Sequence, residues 1–233
     1  MRGRNMNIIL ALDQSTATSS AVVMDGQAVL AERTWTDSGG RNQQLFAILP
    51  GLLAEAGVDA AHIGGFAVGL GPGAFAGIRM SLSALRAWAL PGAIPVYGVS
   101  SGEAIARDVL ARLDARSVTV IGDARRHRFW YAHFRAGDSG LQMTAPYALA
   151  ASADLRSAIE SESVVVTPHW ERIGKDLSTA MGRGVKLVEE PCLPRARTVG
   201  DLVLERLARN QPFDDLKPIY MHPPVFVEPR FPT

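Results

Sequence analysis

Between Gly69 and Gly77 the chain places four glycines and one proline in nine positions, Gly-Leu-Gly-Pro-Gly-Ala-Phe-Ala-Gly, followed by Ile78 and Arg79. An apolar run, Gly65 to Val68, precedes this loop, and an Ala/Leu-rich pattern extends from it to Leu90. A strand, a glycine turn and a helix start in that order let backbone N–H groups converge on an anion. Glycines also let a second backbone approach closely, so a tight packing turn is the competing reading. The loop has neither Gly-Lys-Ser/Thr nor G-x-G-x-x-G, which sets it apart from the Walker and dinucleotide patterns. Two acids stand in comparable places, Asp13 before Gln14-Ser15-Thr16 and Asp123 after the run Ser117 to Ile121. An acid after a strand accepts backbone N–H groups in a turn; in two-lobed nucleotide-handling folds it lies near the phosphates. Asp13, Ser15, Thr16, Gly71, Gly73 and Gly77 are therefore the candidate phosphate or nucleotide loop.

Other chemistries find little support. His62, His127, His133, His169 and His222 are never three or four residues apart, so no helical ligand pair and no metal site is expected. The single cysteine, Cys192, excludes an intrachain disulfide framework and a Cys-based zinc site, and it suits a reducing cytosol. Hydrophobic residues make up 47% and charged residues 20% of 233 positions, with a formal net charge of +1. That composition buries a real core and sets up no strong field for nucleic acid or membrane. No apolar run reaches the ~18 residues of a spanning helix. Met1 to Asn5 is short, basic and unpatterned, Met6 is an alternative first residue, and no secretory signal follows, so a cytoplasmic location without membrane contact is expected.

The elements that must position these residues read as two similar series. The first has strands at 7–12, 20–24 and 28–35, with a turn at Asp25-Gly26, then a helix at 42–56 carrying Pro50. A strand at 65–70, a helix at 75–90, a strand at 95–99 and a helix at 102–113 follow. The second has strands at 117–121, 128–134 and 141–147, a helix at 152–160, a strand at 164–167, a helix at 170–181, a strand at 185–188 and a helix at 198–210. Three meandering strands followed by alternating helices and strands make a mixed sheet covered by helices. Two such series predict an α/β chain of two lobes, 1–114 and 115–233, with the Pro-rich tail at 211–233 packing back on the first lobe.

Several motifs together resemble one family. Ile9-Leu10-Ala11-Leu12-Asp13-Gln14-Ser15-Thr16 is similar to the "ILAIDTST" opening of bacterial TsaB (YeaZ-type) proteins, and Gly71 to Arg79 to their "GPGSFTGLR" loop. Val99-Ser100-Ser101 resembles "GVSSL" with Gly102 in place of leucine, Asp123-Ala124-Arg125 with Phe129 to Ala132 resembles "DARxxEVYxA", and Pro218-Ile219-Tyr220 resembles "PxYLR". The resemblance implies the duplicated actin/hexokinase/Hsp70-like (ASKHA, RNase H-like) fold. It implies a non-catalytic partner, a degenerate homologue that activates a TsaD-type enzyme in threonylcarbamoylation of the tRNA adenosine next to the anticodon. A TsaE-type ATPase would join the pair, and the chain alone would form a homodimer through the same face. Ala74 and Ala76 replace the usual Ser and Thr, and Met221-His222 replaces Leu-Arg. Both changes predict no tightly bound cofactor and at most weak ATP or ADP binding. An active ASKHA phosphotransferase and a glycoprotease-like hydrolase are the alternatives.

The same resemblance assigns the partner face to the helices at 42–56 and 75–90. Apolar residues in the second spread well round its axis, as in a helix buried on more than one side. Leu45, Ile48, Leu49, Leu52, Phe75, Ile78, Met80, Leu85 and Trp88 are the candidate interface. Arg125, Arg126 and Arg128 form a local basic run, either a charged strand edge or a group facing tRNA phosphates in the assembled complex.

Overall fold

Alternation along β1 (Ile8–Asp13) decides the layering: Ile9 and Ala11 face one side of a sheet, Leu10 and Leu12 the other, and all four are buried. The computed structural model describes residues 7–36, 44–138, 140–160 and 162–222. β2 (Thr18–Asp25) and β3 (Ala28–Thr36) complete an antiparallel meander with β1, and β4 (Gly65–Gly69) and β5 (Val96–Val99) add in parallel, in the order β3-β2-β1-β4-β5. The second sheet repeats this plan. β6 (Ser117–Arg125), β7 (Arg128–Gly137) and β8 (Gly140–Ala151) form the meander, and β9 (Val164–Thr167) and β10 (Lys186–Pro191) extend it in parallel, in the order β10-β9-β6-β7-β8. This is the two-lobed, duplicated α/β architecture that the two series of elements predict.

Helices α1 (Gln44–Ala56) and α2 (Phe75–Ala89) cover the Leu10 face of the first sheet in one core with Phe66 and Val68. β1, β3 and β4 run in one direction, so both helices start at the same edge of the sheet and run back side by side. α5 (Ala196–Ala208) covers the Ile9 face, while α3 (Ser101–Leu113) packs on β6, β7 and β8 of the second sheet. Each lobe is thus completed by a helix from the other half of the chain. α4 (Trp170–Met181) covers the far face of the second sheet through Ile173 and Leu177.

One predicted helix is absent. Residues 152–160 form successive turns, with Leu155 N–H bonded to Ser152, Ala158 N–H to Asp154 and Leu155, and the Ser157 hydroxyl donating to the Asp154 carbonyl at 2.8 Å. Side-chain hydroxyls that bond nearby carbonyls compete with regular helix, and Leu155 alone anchors the segment as a fully buried apolar residue. α1 runs through Pro50 without interruption, and the predicted start at 42 lies outside the described residues. From Asp214 to Ile219 the tail lies along the first lobe: Ile219 N–H donates to the Leu70 carbonyl at 2.8 Å and Arg86 to the Leu216 carbonyl at 3.1 Å. His222 then reaches the second lobe, its Nε2 donating to the Ala124 carbonyl at 2.6 Å. Residues 223–233 of the tail lie outside the described residues.

Candidate functional site

The glycine loop is a packing device. A Cβ at Gly73 would lie 2.0 Å from the Ser15 carbonyl oxygen, one at Gly77 2.2 Å from that of Gln14, and one at Gly69 1.8 Å from an Asp13 carboxylate oxygen. Gly71 holds a left-handed φ of +89°. The glycines bring the loop and the start of α2 against the Gln14-Ser15-Thr16 turn, and Ala74 N–H donates to the Ser15 carbonyl at 2.6 Å.

Asp13 is consumed by the same knot. It is buried; one oxygen accepts from the backbone N–H and the hydroxyl of Ser15 at 2.8 and 2.7 Å, and the other from the Ser101 hydroxyl at 2.6 Å. Ser101 in turn accepts from the Gly71 N–H at 3.0 Å. Burial pushes the Asp13 carboxyl above its usual range, against the hydrogen bonds from Ser101 and Ser15 that favour its charge. Thr16 spends its hydroxyl on the Thr18 carbonyl at 2.6 Å. Asp13, Ser15, Thr16, Gly71, Gly73 and Gly77 do come together, and Ser15, Thr16 and Gly73 line the cleft described next, but the Asp13 carboxylate and the Ser15 and Thr16 hydroxyls are turned on the chain itself. Gly102 belongs to the same region; a Cβ there would lie 2.2 Å from the Tyr147 hydroxyl, which bonds Ser100. The departure from leucine thus makes room for β8 against the start of α3.

Beyond this knot a cleft of about 1030 Å³ opens between the lobes. Its second wall carries Asp123, whose carboxylate pairs with Arg172 Nε at 2.8 Å and accepts from the Arg125 N–H at 2.6 Å. Asp123 N–H donates to His169 Nδ1 at 3.1 Å, which fixes the ring proton on Nε2. Burial, helped by the Arg172 charge, pushes His169 down to about 4. Arg79, Arg125, Arg126 and Arg172 all line the cleft, and Arg128, exposed at the start of β7, is the register partner of Arg125 across the hairpin. Sequence reading missed Arg79, which comes from the first lobe, and Arg172, which α4 brings to Asp123 from 49 residues away within the second lobe.

His169 gives a pH prediction. Unfolded, the imidazole titrates near its ordinary ~6.5; folded, it stays neutral to about 4. Between these values the unfolded chain binds the extra proton, so stability falls as pH drops through that window, by on the order of 3 kcal/mol in total. Asp13 and Glu103, both raised by burial, act in the opposite sense, since the folded state holds their protons. Urea titrations of wild type and His169→Gln at pH 7 and 4.5 isolate the histidine: the wild type is expected to lose more stability on acidification, and equal losses would contradict the assignment.

The outer sides of α1 and α2 form the second candidate site. Of the predicted interface residues, Leu45, Leu49, Leu52 and Leu85 are buried in the first lobe's own core and Ile78 is buried at the wall of the cleft, and this corrects their assignment. The 3.6-residue period that singles them out is the period of the face turned to the sheet. Ile48, Met80 and Trp88 are half-buried against that core, and Phe75 is exposed at the cleft mouth. The sequence reading passed over Phe46, 55% exposed at the start of α1, and did not place Leu90, 79% exposed after α2, in the interface. The available signal for Phe46 is its place one residue after Leu45, off the inward stripe.

Comparison with known proteins agrees with this geometry. The family model described as "TsaD: tRNA N6-adenosine threonylcarbamoyltransferase" matches residues 40–209. The tRNA threonylcarbamoyladenosine biosynthesis protein TsaB of Escherichia coli is 26% identical over 133 residues, 57% of this chain and 57% of that protein. An uncharacterized protein of Mycobacterium leprae is 34% identical over 136 residues, 57% of this chain and 36% of that one. The matches thus span about a third to three fifths of the length of the curated relatives. Among solved structures, YeaZ from Pseudomonas aeruginosa superposes with a TM-score of 0.74 at 23% identity, over 91% of this chain and all of that one. A second Pseudomonas aeruginosa protein, described as similar to peptidase YEAZ, gives 0.78 at 21% over 93% of this chain and all of that one. Among the described residues, no helix is long and apolar enough to cross a membrane.

Proposed function

The chain belongs to the tRNA N6-adenosine threonylcarbamoyltransferase (TsaD) family and is a TsaB (YeaZ)-type member of it, and on that footing we propose that it is a non-catalytic subunit in threonylcarbamoylation of the tRNA adenosine next to the anticodon. It docks a TsaD-type catalytic subunit through the outer sides of α1 and α2. A TsaE-type ATPase joins that pair, and the isolated chain self-associates through the same face. One observation carries the reading: Phe46 stands exposed at the start of α1 and Leu90 just past the end of α2, while the inner sides of both helices are already full. Large apolar side chains in that position lose water only when a second surface covers them.

The cleft chemistry supports a role without catalysis. A phosphotransferase needs a carboxylate free to act as base or to hold a cation. Here Asp13 is saturated by Ser15 and Ser101, and Asp123 is neutralised by Arg172. Co-expression with the TsaD-type subunit of the same organism, followed by size-exclusion chromatography, tests the docking. One co-eluting complex is expected, and that complex, with its ATPase, is expected to modify tRNA. Separate elution, or turnover of a small phosphorylated substrate by the chain alone, would contradict the proposal.

A further inference from the structure

Four guanidiniums, those of Arg79, Arg125, Arg126 and Arg172, line the cleft against one carboxylate, Asp123. We propose that this cleft holds an unpaired strand of RNA, the arginines gripping its phosphates and the exposed Phe75–Tyr220 pair receiving a base. The inference rests on the family reading for the kind of nucleic acid.

The charge is not spent within the chain. Arg126 makes no ion pair among the described residues, and Arg79 makes none either, lying instead over the Phe75 ring at 4.9 Å. Arg172 and Arg125 share Asp123, at 2.8 and 3.7 Å, so one negative charge is divided between two cations. Planar guanidiniums match phosphate oxygens in a way that surface lysines do not.

The hairpin tip is held at a cost. Arg125, Arg126 and His127 have φ of 65°, 54° and 56°, three successive left-handed residues, none of them glycine. Asn-Gly or Asp-Gly is the relaxed choice for such a turn. Each left-handed non-glycine residue costs energy, and strain of this kind gathers at binding sites. Here it places two arginines at the rim of the cleft.

Aromatic surface completes the site. Phe75 and Tyr220 are both more than half exposed, with ring centroids 5.3 Å apart. Trp130, also on the cleft wall, keeps its indole N–H buried with no acceptor among the described residues. Basic grooves lined by stacking rings bind single strands without much regard for sequence.

Fluorescence anisotropy of the full chain with a short labelled single-stranded oligoribonucleotide tests the proposal without any partner present. Binding is expected at low salt, falling as salt rises. Arg79→Glu combined with Arg126→Glu, both at exposed positions, is expected to weaken it at least ~100-fold, about tenfold per arginine. Tyr220→Ala is expected to cost about tenfold. Arg183→Glu, past the far end of α4 from the cleft, is expected to leave it unchanged, and Arg126→Glu alone, on the second lobe away from α1 and α2, is expected to co-elute with the TsaD-type subunit as wild type does. Equal affinity of the wild type and the double variant, no binding by the wild type, or displacement of the strand by micromolar ADP would overturn the proposal.

Discussion

Leu49→Arg is expected to leave no folded protein, while Phe46→Arg on the same helix is expected to fold and melt like wild type. Leu49 is 1% exposed in the core beneath α1, and Phe46 is 55% exposed. An arginine at 49 would bury a charge with no acid beside it and displace neighbours packed on Phe66 and Leu52 in one cluster. A cost above about 4 kcal/mol follows, enough to unfold a domain of ordinary stability. At 46 the new side chain reaches water, and the change removes apolar surface that is already wet. Circular dichroism and thermal melts of the two variants decide the matter. A folded Leu49→Arg chain would mean that α1 detaches from the sheet and that its inner face is available to a partner after all.

Gly73→Ala is expected to destabilise the chain by about 3 kcal/mol or more, the upper end of what an added methyl costs in a filled site. The obstacle is the Ser15 carbonyl oxygen, 2.0 Å from the new Cβ, and backbone does not give way as a side-chain tip does. Moving it breaks the 2.6 Å bond from Ala74 N–H to Ser15 and pulls on the Ser15–Asp13 pair. Gly51→Ala is the control, since a Cβ there meets nothing within 4 Å and lies within α1. It is expected to stabilise by up to about 1 kcal/mol through helix propensity. Urea midpoints measure both. A neutral Gly73→Ala would show that the loop is not pressed on the turn, and an anion cradle there would become tenable again.

How much of this was legible beforehand follows from which signals are local. Strand alternation at Ile9 to Leu12 and the turn at Asp25-Gly26 place the first meander because each depends on neighbours in sequence. The repeat of that order after residue 117 gives the second sheet for the same reason. The segment 152–160 fails because its apolar spacing imitates a helix while Asp154 and Ser157 favour turns. The buried members of the interface assignment go astray differently: periodicity finds the inward stripe of a helix, and Leu45, Leu49 and Leu52 are that stripe. Phe46 is informative because it breaks the pattern. The cleft arginines were only half visible. Arg125 and Arg126 adjoin in sequence, but Arg172 reaches them through the packing of α4 on the second sheet and Arg79 from the other lobe, which no window along the chain reports. Asp13 is singled out by its place after β1, yet whether a carboxylate serves a ligand or its own chain depends on Ser101, 88 residues away.

Docking through the outer faces of α1 and α2 is the central claim, and capture of the TsaD-type subunit by a Phe46→Arg/Leu90→Arg chain tests it most directly. Both positions are exposed, so the variant is expected to fold and melt with the wild type. It is expected to elute alone from a column on which wild type and catalytic subunit travel together. A folded double variant that still carries the catalytic subunit at wild-type stoichiometry would contradict the account.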